Sequence, residues 1–170
     1  VYLLWSFPVL SFGQKEVLVP ADGTVSEGEE QPVVALTFDD GPSGTSTPVL
    51  LEGLRKRGVR ATFFVIGEKA EQNPELICRM SEEGHLIGNH TYSHVQLNML
   101  SSSQACSQVK AANDVIKEIT GQEVIYLRPP YGEWDHKKDC PQNMIAVYWD
   151  VDPLDWKRTA VSYTHLRAHE

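Results

Sequence analysis

Two adjacent carboxylates, Asp39 and Asp40, close the run Val33-Val34-Ala35-Leu36-Thr37-Phe38, and Gly41-Pro42 follows at once. A short apolar run bounded by turn residues reads as a buried strand, and the β-branched Val33, Val34 and Thr37 favour strand over helix. The carboxylates therefore sit at the C-terminal end of a core strand, where α/β folds collect their chemistry. Side by side they repel, and a bound metal ion is one way to neutralise them. A solvated Asp-Gly turn is the other reading, and both stand on this stretch alone. Downstream, His90-Thr91-Tyr92-Ser93-His94 spaces two imidazoles i, i+4 after the apolar run at Leu86-Ile87. On a helical turn that spacing puts both rings on one face, within reach of one ion. Two histidines and one carboxylate leave open positions on a metal, as a catalytic site requires.

The elements that must hold these groups alternate. A helix follows the first strand, with Thr47 expected as its N-cap, Pro48 in its first turn and Gly58 after its end. A second strand spans Ala61 to Ile66 and is expected to stop at Gly67. Asn73-Pro74 opens the next helix, and a strand from His85 to Asn89 leads into the histidines. His85, inside that strand, reads as a satisfied core histidine. Ser101 or Ser102 caps a longer helix whose apolar side includes Ala105, Val109, Ala112 and Ile116, with Gly121 after it. Strands at Val124–Leu127 and Met144–Trp149 follow. This alternation predicts parallel βαβ units, which either a barrel or an open sheet satisfies.

Four ordered motifs carry a resemblance. Thr37-Phe38-Asp39-Asp40-Gly41-Pro42, His90 to His94, Arg128-Pro129-Pro130-Tyr131 and Asp152-Pro153-Leu154-Asp155-Trp156 are similar to the motifs of polysaccharide deacetylases, the NodB-homology domain of carbohydrate esterase family 4. The resemblance implies an α/β fold, an irregular (β/α) barrel with fewer than eight strands, here incomplete at the C-terminus. It implies metal-dependent removal of N-acetyl groups from a polysaccharide built on N-acetylglucosamine, of chitin or peptidoglycan type. O-deacetylation of xylan and a non-catalytic glycan-binding relative share the scaffold. Asp40, His90 and His94 would hold a divalent ion, zinc or alternatively cobalt. Asp39 would be the general base, kept ionised by Arg128, and the Tyr131 backbone N–H would face the oxyanion. Asp152 or Asp155 would position a general acid supplied by an L-x-H histidine, a motif this sequence lacks. Arg128 could instead be a surface ion pair. Tyr131 and Trp156 could be core aromatics, and Trp134, Trp149 and Trp156 could line a sugar groove. Phosphoryl transfer of the dehalogenase type would need D-x-D after the first strand, and here the carboxylates are adjacent.

The remaining features bound the reading. A formal net charge of −8 argues against a nucleic-acid partner. Residues 1–13 resemble a residual signal peptide or anchor, too short to span a bilayer. Residues 14–31 read as a linker, 32–160 as the deacetylase domain, and 161–170 as a non-native tail. Export to the cell envelope or beyond is the matching expectation. Cys78, Cys106 and Cys140 have no C-x-x-C spacing, and an exported chain could form one disulfide from them. The oligomeric state is not legible.

Overall fold

A computed structural model of the chain describes residues 2–5, 34–134 and 144–153. Its strands and helices run β1 (Tyr2–Trp5), β2 (Val34–Gly41), α1 (Ser46–Lys56), β3 (Thr62–Val65), α2 (Gly67–Gln72), α3 (Pro74–Glu82), β4 (Leu86–Asn89), α4 (Ser102–Thr120), β5 (Tyr126–Leu127) and β6 (Ile145–Ala146). They form one six-stranded sheet in the order β1-β2-β3-β4-β5-β6. Strands β2 to β6 pair in parallel, and β1, within the segment expected to be a signal peptide or anchor, lies antiparallel to β2. The expected α/β class and alternation hold. The barrel expected to be incomplete at the C-terminus is an open sheet among the described residues: β1 occupies the free edge of β2, and β6 ends the other side. Periodicity sets strand direction but carries no term for closure.

Alternation along the strands separates two faces. Phe63 and Val65 point into a core with Leu51 and Leu54 of α1, Ile77 and Met80 of α3, and Ile116 of α4. Phe64, between them in sequence, faces the other way and lies under the Arg128 guanidinium, 4.2 Å from the ring centroid. A second apolar cluster joins Leu97, Ala105, Val109 and Leu127, with Trp134 packed against it. Trp134 is partly buried there and contributes to packing.

Local signals explain most ends. Ser101 and Gln104 form a reciprocal capping box on α4, and Gly121 ends that helix at φ +71°. The N-cap of α1 is Thr45, not Thr47. Thr47 lies in the first turn, and its hydroxyl accepts from the Ser43 N–H at 2.8 Å. Gly67 does not merely stop β3. It starts the short helix α2, whose first N–H groups find acceptors elsewhere in the fold: Gly67 donates to Thr91 O at 3.0 Å and Glu68 to Tyr92 O at 2.9 Å. Cys106 is disulfide-bonded and Cys78 is a free thiol; Cys140 lies outside the described residues. Among the described residues no helix is long and apolar enough to cross a membrane.

His85 is buried just ahead of β4, and only half of its hydrogen bonding is met. Its Nδ1 accepts from the Ala61 N–H at 3.1 Å. Its Nε2 lies 3.7 Å from Glu83 Oε2, and neither atom has a hydrogen-bond partner among the described residues. Burial holds the imidazole below the ordinary histidine value of 6.5, with Glu83 pulling the other way. The unfolded chain therefore takes up a proton that the folded chain resists. The contribution of neutral His85 is fully present above that ordinary value and is lost as pH falls below it. Urea denaturation of the parent chain and His85→Gln at about pH 7.5 and about pH 5.5 should show the parent losing more stability on acidification. Equal losses in the two chains would refute this.

Candidate metal centre

The site is built where β2, β4 and β5 end. Thr37 and Asp39 share one face of β2 as i and i+2 residues. Asp40 would point away, but the β2–β3 register shifts between Asp39 and Gly41, and Asp40 takes φ +65°. A bulge of this kind re-aims a side chain. Both carboxylates therefore line one cleft of about 370 Å³ together with His90, His94 and Tyr131. Pro129, Trp149 and Asp152 also line it.

The histidines do not lie on a helical turn. Residues 90–96 form an irregular loop, with Thr91 at φ +64° and His94 at φ +54°. The loop still brings both rings to Asp40: His90 Nε2 is 3.2 Å and His94 Nε2 3.1 Å from Asp40 Oδ1. Ligand atoms of these three residues all lie within 4.8 Å of one another. His90 Nδ1 donates to the Arg128 carbonyl at 2.7 Å. That bond assigns the Nδ1 proton, so neutral His90 offers a lone pair at Nε2. The lone pair faces a carboxylate oxygen, an arrangement that only a cation or an added proton reconciles. The donor set thus fits a divalent ion such as zinc, which takes imidazole nitrogen and carboxylate oxygen together. Once a proton lies on the facing nitrogens, His90, followed by His94, holds the Asp40 carboxyl well below the usual carboxylate range.

Arg128 is fully buried, which corrects the surface-pair reading. Its Nη1 donates to Asp39 Oδ1 and to Thr37 Oγ1, both at 2.8 Å. Nε donates to Val147 O at 3.3 Å and Nη2 to Tyr148 O at 3.2 Å. Asp39 is held in one position as a result. Burial pushes its carboxyl above the ordinary value of 3.8, while Arg128 and His90 pull against the rise. Here desolvation is the larger effect, and a carboxylate of raised basicity is the better proton acceptor.

Tyr131 is exposed, not core, and takes φ +64° in a turn. Its ring lies 5.1 Å from that of His94, centroid to centroid. Gly132 follows at φ +71°, where a Cβ would sit 2.8 Å from Trp149. The turn thus needs glycine to pack on the cleft's tryptophan. Asp155 and Trp156 lie outside the described residues. Sequence reasoning missed Thr37, Asn89 and Lys69. Thr37 was findable, since i, i+2 parity places it beside Asp39. Lys69 Nζ donates to the Asp40 carbonyl at 2.8 Å, a contact no local pattern signals. Asp40, Thr91, His94 and Tyr131 are the non-glycine residues at positive φ among the described ones, and all lie in or beside the cleft. Strain of this kind collects at functional sites, at about 1–3 kcal/mol each.

Sheet and cleft together define a parallel α/β protein with an Asp-His-His metal-binding candidate at its strand ends. Residues 26–147 match the polysaccharide deacetylase family, and the chain belongs to that family. It is 42% identical over 127 residues to peptidoglycan-N-acetylglucosamine deacetylase of Bacillus cereus, covering 73% of this chain and 46% of that protein. It is 40% identical over 141 residues to peptidoglycan-N-acetylmuramic acid deacetylase PdaC of Bacillus subtilis, covering 83% of this chain and 30% of the relative. The solved structure of PdaC superposes with a TM-score of 0.70 at 42% identity, over 72% of this chain and 61% of the other. Chitooligosaccharide deacetylase of Sinorhizobium fredii is 40% identical over 147 residues, 84% of this chain and 66% of the relative. The chain thus spans less than half the length of the two curated peptidoglycan deacetylases.

Proposed function

We propose that this chain carries the centre for metal-dependent hydrolysis of N-acetyl groups from a glycan containing N-acetylglucosamine, of peptidoglycan or chitin type. The carrying observation is the convergence of His90 Nε2, His94 Nε2 and Asp40 Oδ1, with a neighbouring carboxylate locked by a buried arginine. Asp40, His90 and His94 would hold zinc, or alternatively cobalt. A divalent ion there supplies Lewis acidity at an acyl oxygen and makes water more acidic. Asp39 accepts the proton of the attacking water, and Arg128 fixes the direction from which it does so. The Tyr131 N–H supplies a donor for the charge that develops on the acyl oxygen. Trp149 and the Tyr131 ring offer apolar faces to a sugar. Asp152, in the cleft, is the described candidate for orienting a general acid. The names of the relatives favour an N-acetylated glycan over xylan. A disulfide at Cys106 supports export to the envelope or beyond, since such bonds persist in oxidising compartments.

Zinc titration should give about one ion per chain, and His90→Ala or His94→Ala should abolish stoichiometric binding. Full retention in both variants would show the ligands to be misassigned. Acetate release should be measured at full zinc occupancy on peptidoglycan, chitin oligomers and acetylated xylan. Release from either of the first two supports the proposal; release from xylan alone overturns it.

A further inference from the structure

We infer that Asn89 and Asn113 form a positioning pair that sets the geometry of the His90–His94 loop toward its metal. Asn89, at the end of β4, is fully buried, and its amide is used on both sides. Nδ2 donates to Val109 O at 2.8 Å and to Asn113 Oδ1 at 2.7 Å, both on α4. Oδ1 accepts from the Thr91 N–H at 2.6 Å. Thr91 is itself buried and stands at φ +64°, where a β-branched side chain is a true outlier. The Asn89 bond grips the backbone at the residue where it turns, between the two histidines. Thr91 Oγ1 then accepts from the Val95 N–H at 3.3 Å, just past His94. One chain of bonds thus runs from α4 through Asn89 and Thr91 and brackets both ligands.

The chemistry at these positions is specific. Asn89 needs an acceptor toward Thr91 and two donors toward α4, and only a side-chain amide offers both at that length. Asn113 Nδ2 points to Met144 Sδ at 3.5 Å, which leaves its Oδ1 for Asn89. An aspartate at 89 would set a carboxylate oxygen against Val109 O and Asn113 Oδ1. Partners behind metal ligands fix ligand orientation, and their loss typically costs about 10–100-fold in metal affinity. Gly67 and Glu68 brace the loop from α2 as well, but through its carbonyls. Asn89 acts on the N–H of Thr91, the strained residue that follows His90 directly.

This inference rests on the metal reading above. The test uses the whole 170-residue chain. Zinc affinity is measured by competition with a chromophoric chelator, and the visible spectrum of the cobalt-loaded chain reports ligand geometry. Asn89→Asp should weaken zinc about 10–100-fold and alter the cobalt bands. Asn113→Leu should act in the same direction, whereas Asn113→Asp, which keeps the facing oxygen, should stay within about threefold of the parent. Ile77→Ala, a core truncation away from the site, should leave the cobalt spectrum unchanged, separating positioning from general destabilisation. If Asn89→Asp does not fold, the two Asn113 variants decide. Parent-like affinity and spectrum in Asn113→Leu would overturn the positioning role while leaving the metal reading intact. A parent chain that binds neither ion would overturn both.

Discussion

Arg128→Met should lower folding stability by about 3–5 kcal/mol, the range seen when one partner of a buried ion pair is removed. Methionine roughly fills the stem of the lost side chain, so the effect is mainly electrostatic. Asp39 would keep a nearly inaccessible carboxylate with no cation beside it. The carbonyls of Val147 and Tyr148 and the hydroxyl of Thr37 would each lose the donor that Arg128 supplies. In urea this is a fall in midpoint of about 1–3 M for a chain of this size. Asp39→Asn added to Arg128→Met should recover part of the loss, because residues in direct contact do not act additively. A loss below about 1 kcal/mol in the single variant, or strict additivity in the pair, would show that the guanidinium is not what keeps Asp39 tolerable in the fold.

Asp39→Asn and Asp40→Asn should separate cleanly although the residues are neighbours. Asparagine at 39 keeps a hydrogen-bonding group near Arg128 but cannot accept the proton of water. Acetate release should drop by about 10²-fold or more while zinc still binds. Asparagine at 40 replaces the charged carboxylate that both imidazoles approach with a neutral amide, so zinc affinity itself should fall, and activity with it. Zinc affinity in Asp40→Asn equal to the parent would overturn the division of roles. So would parent-like acetate release in Asp39→Asn.

Much of this site was legible because it lies at ends of apolar runs. The run ahead of Asp39, the run ahead of His90 and the strand ahead of Arg128 each announce a strand whose C-terminal end presents a polar side chain. The geometry between those ends was not legible. An i, i+4 histidine pair suggests a helical turn, yet Thr91 and His94 adopt positive φ in a loop bonded to Asn89 and to the start of α2. Asn89 reads locally as a turn residue, and only the approach of α4 makes its burial tolerable. Arginine is ordinarily an exposed residue. That Arg128 is buried depends on Phe64 beneath it and on carbonyls beyond β6, none of which its own neighbours in sequence foretell. Sheet closure was out of reach for the same reason, since alternation describes each strand against its own neighbours only.

The way α2 begins couples two segments that look separate. A six-residue helix is too short to persist alone in water, and α2 has no side-chain cap. Its Gly67 and Glu68 amides are instead anchored on the carbonyls of Thr91 and Tyr92, inside the histidine loop. Any excursion that frees that loop also strips α2 of its anchor, so the two open as one cooperative unit. In hydrogen–deuterium exchange the Gly67 and Glu68 amides should therefore serve as reporters for a loop to which neither belongs. Their protection should rise or fall in step with whatever steadies His90 and His94.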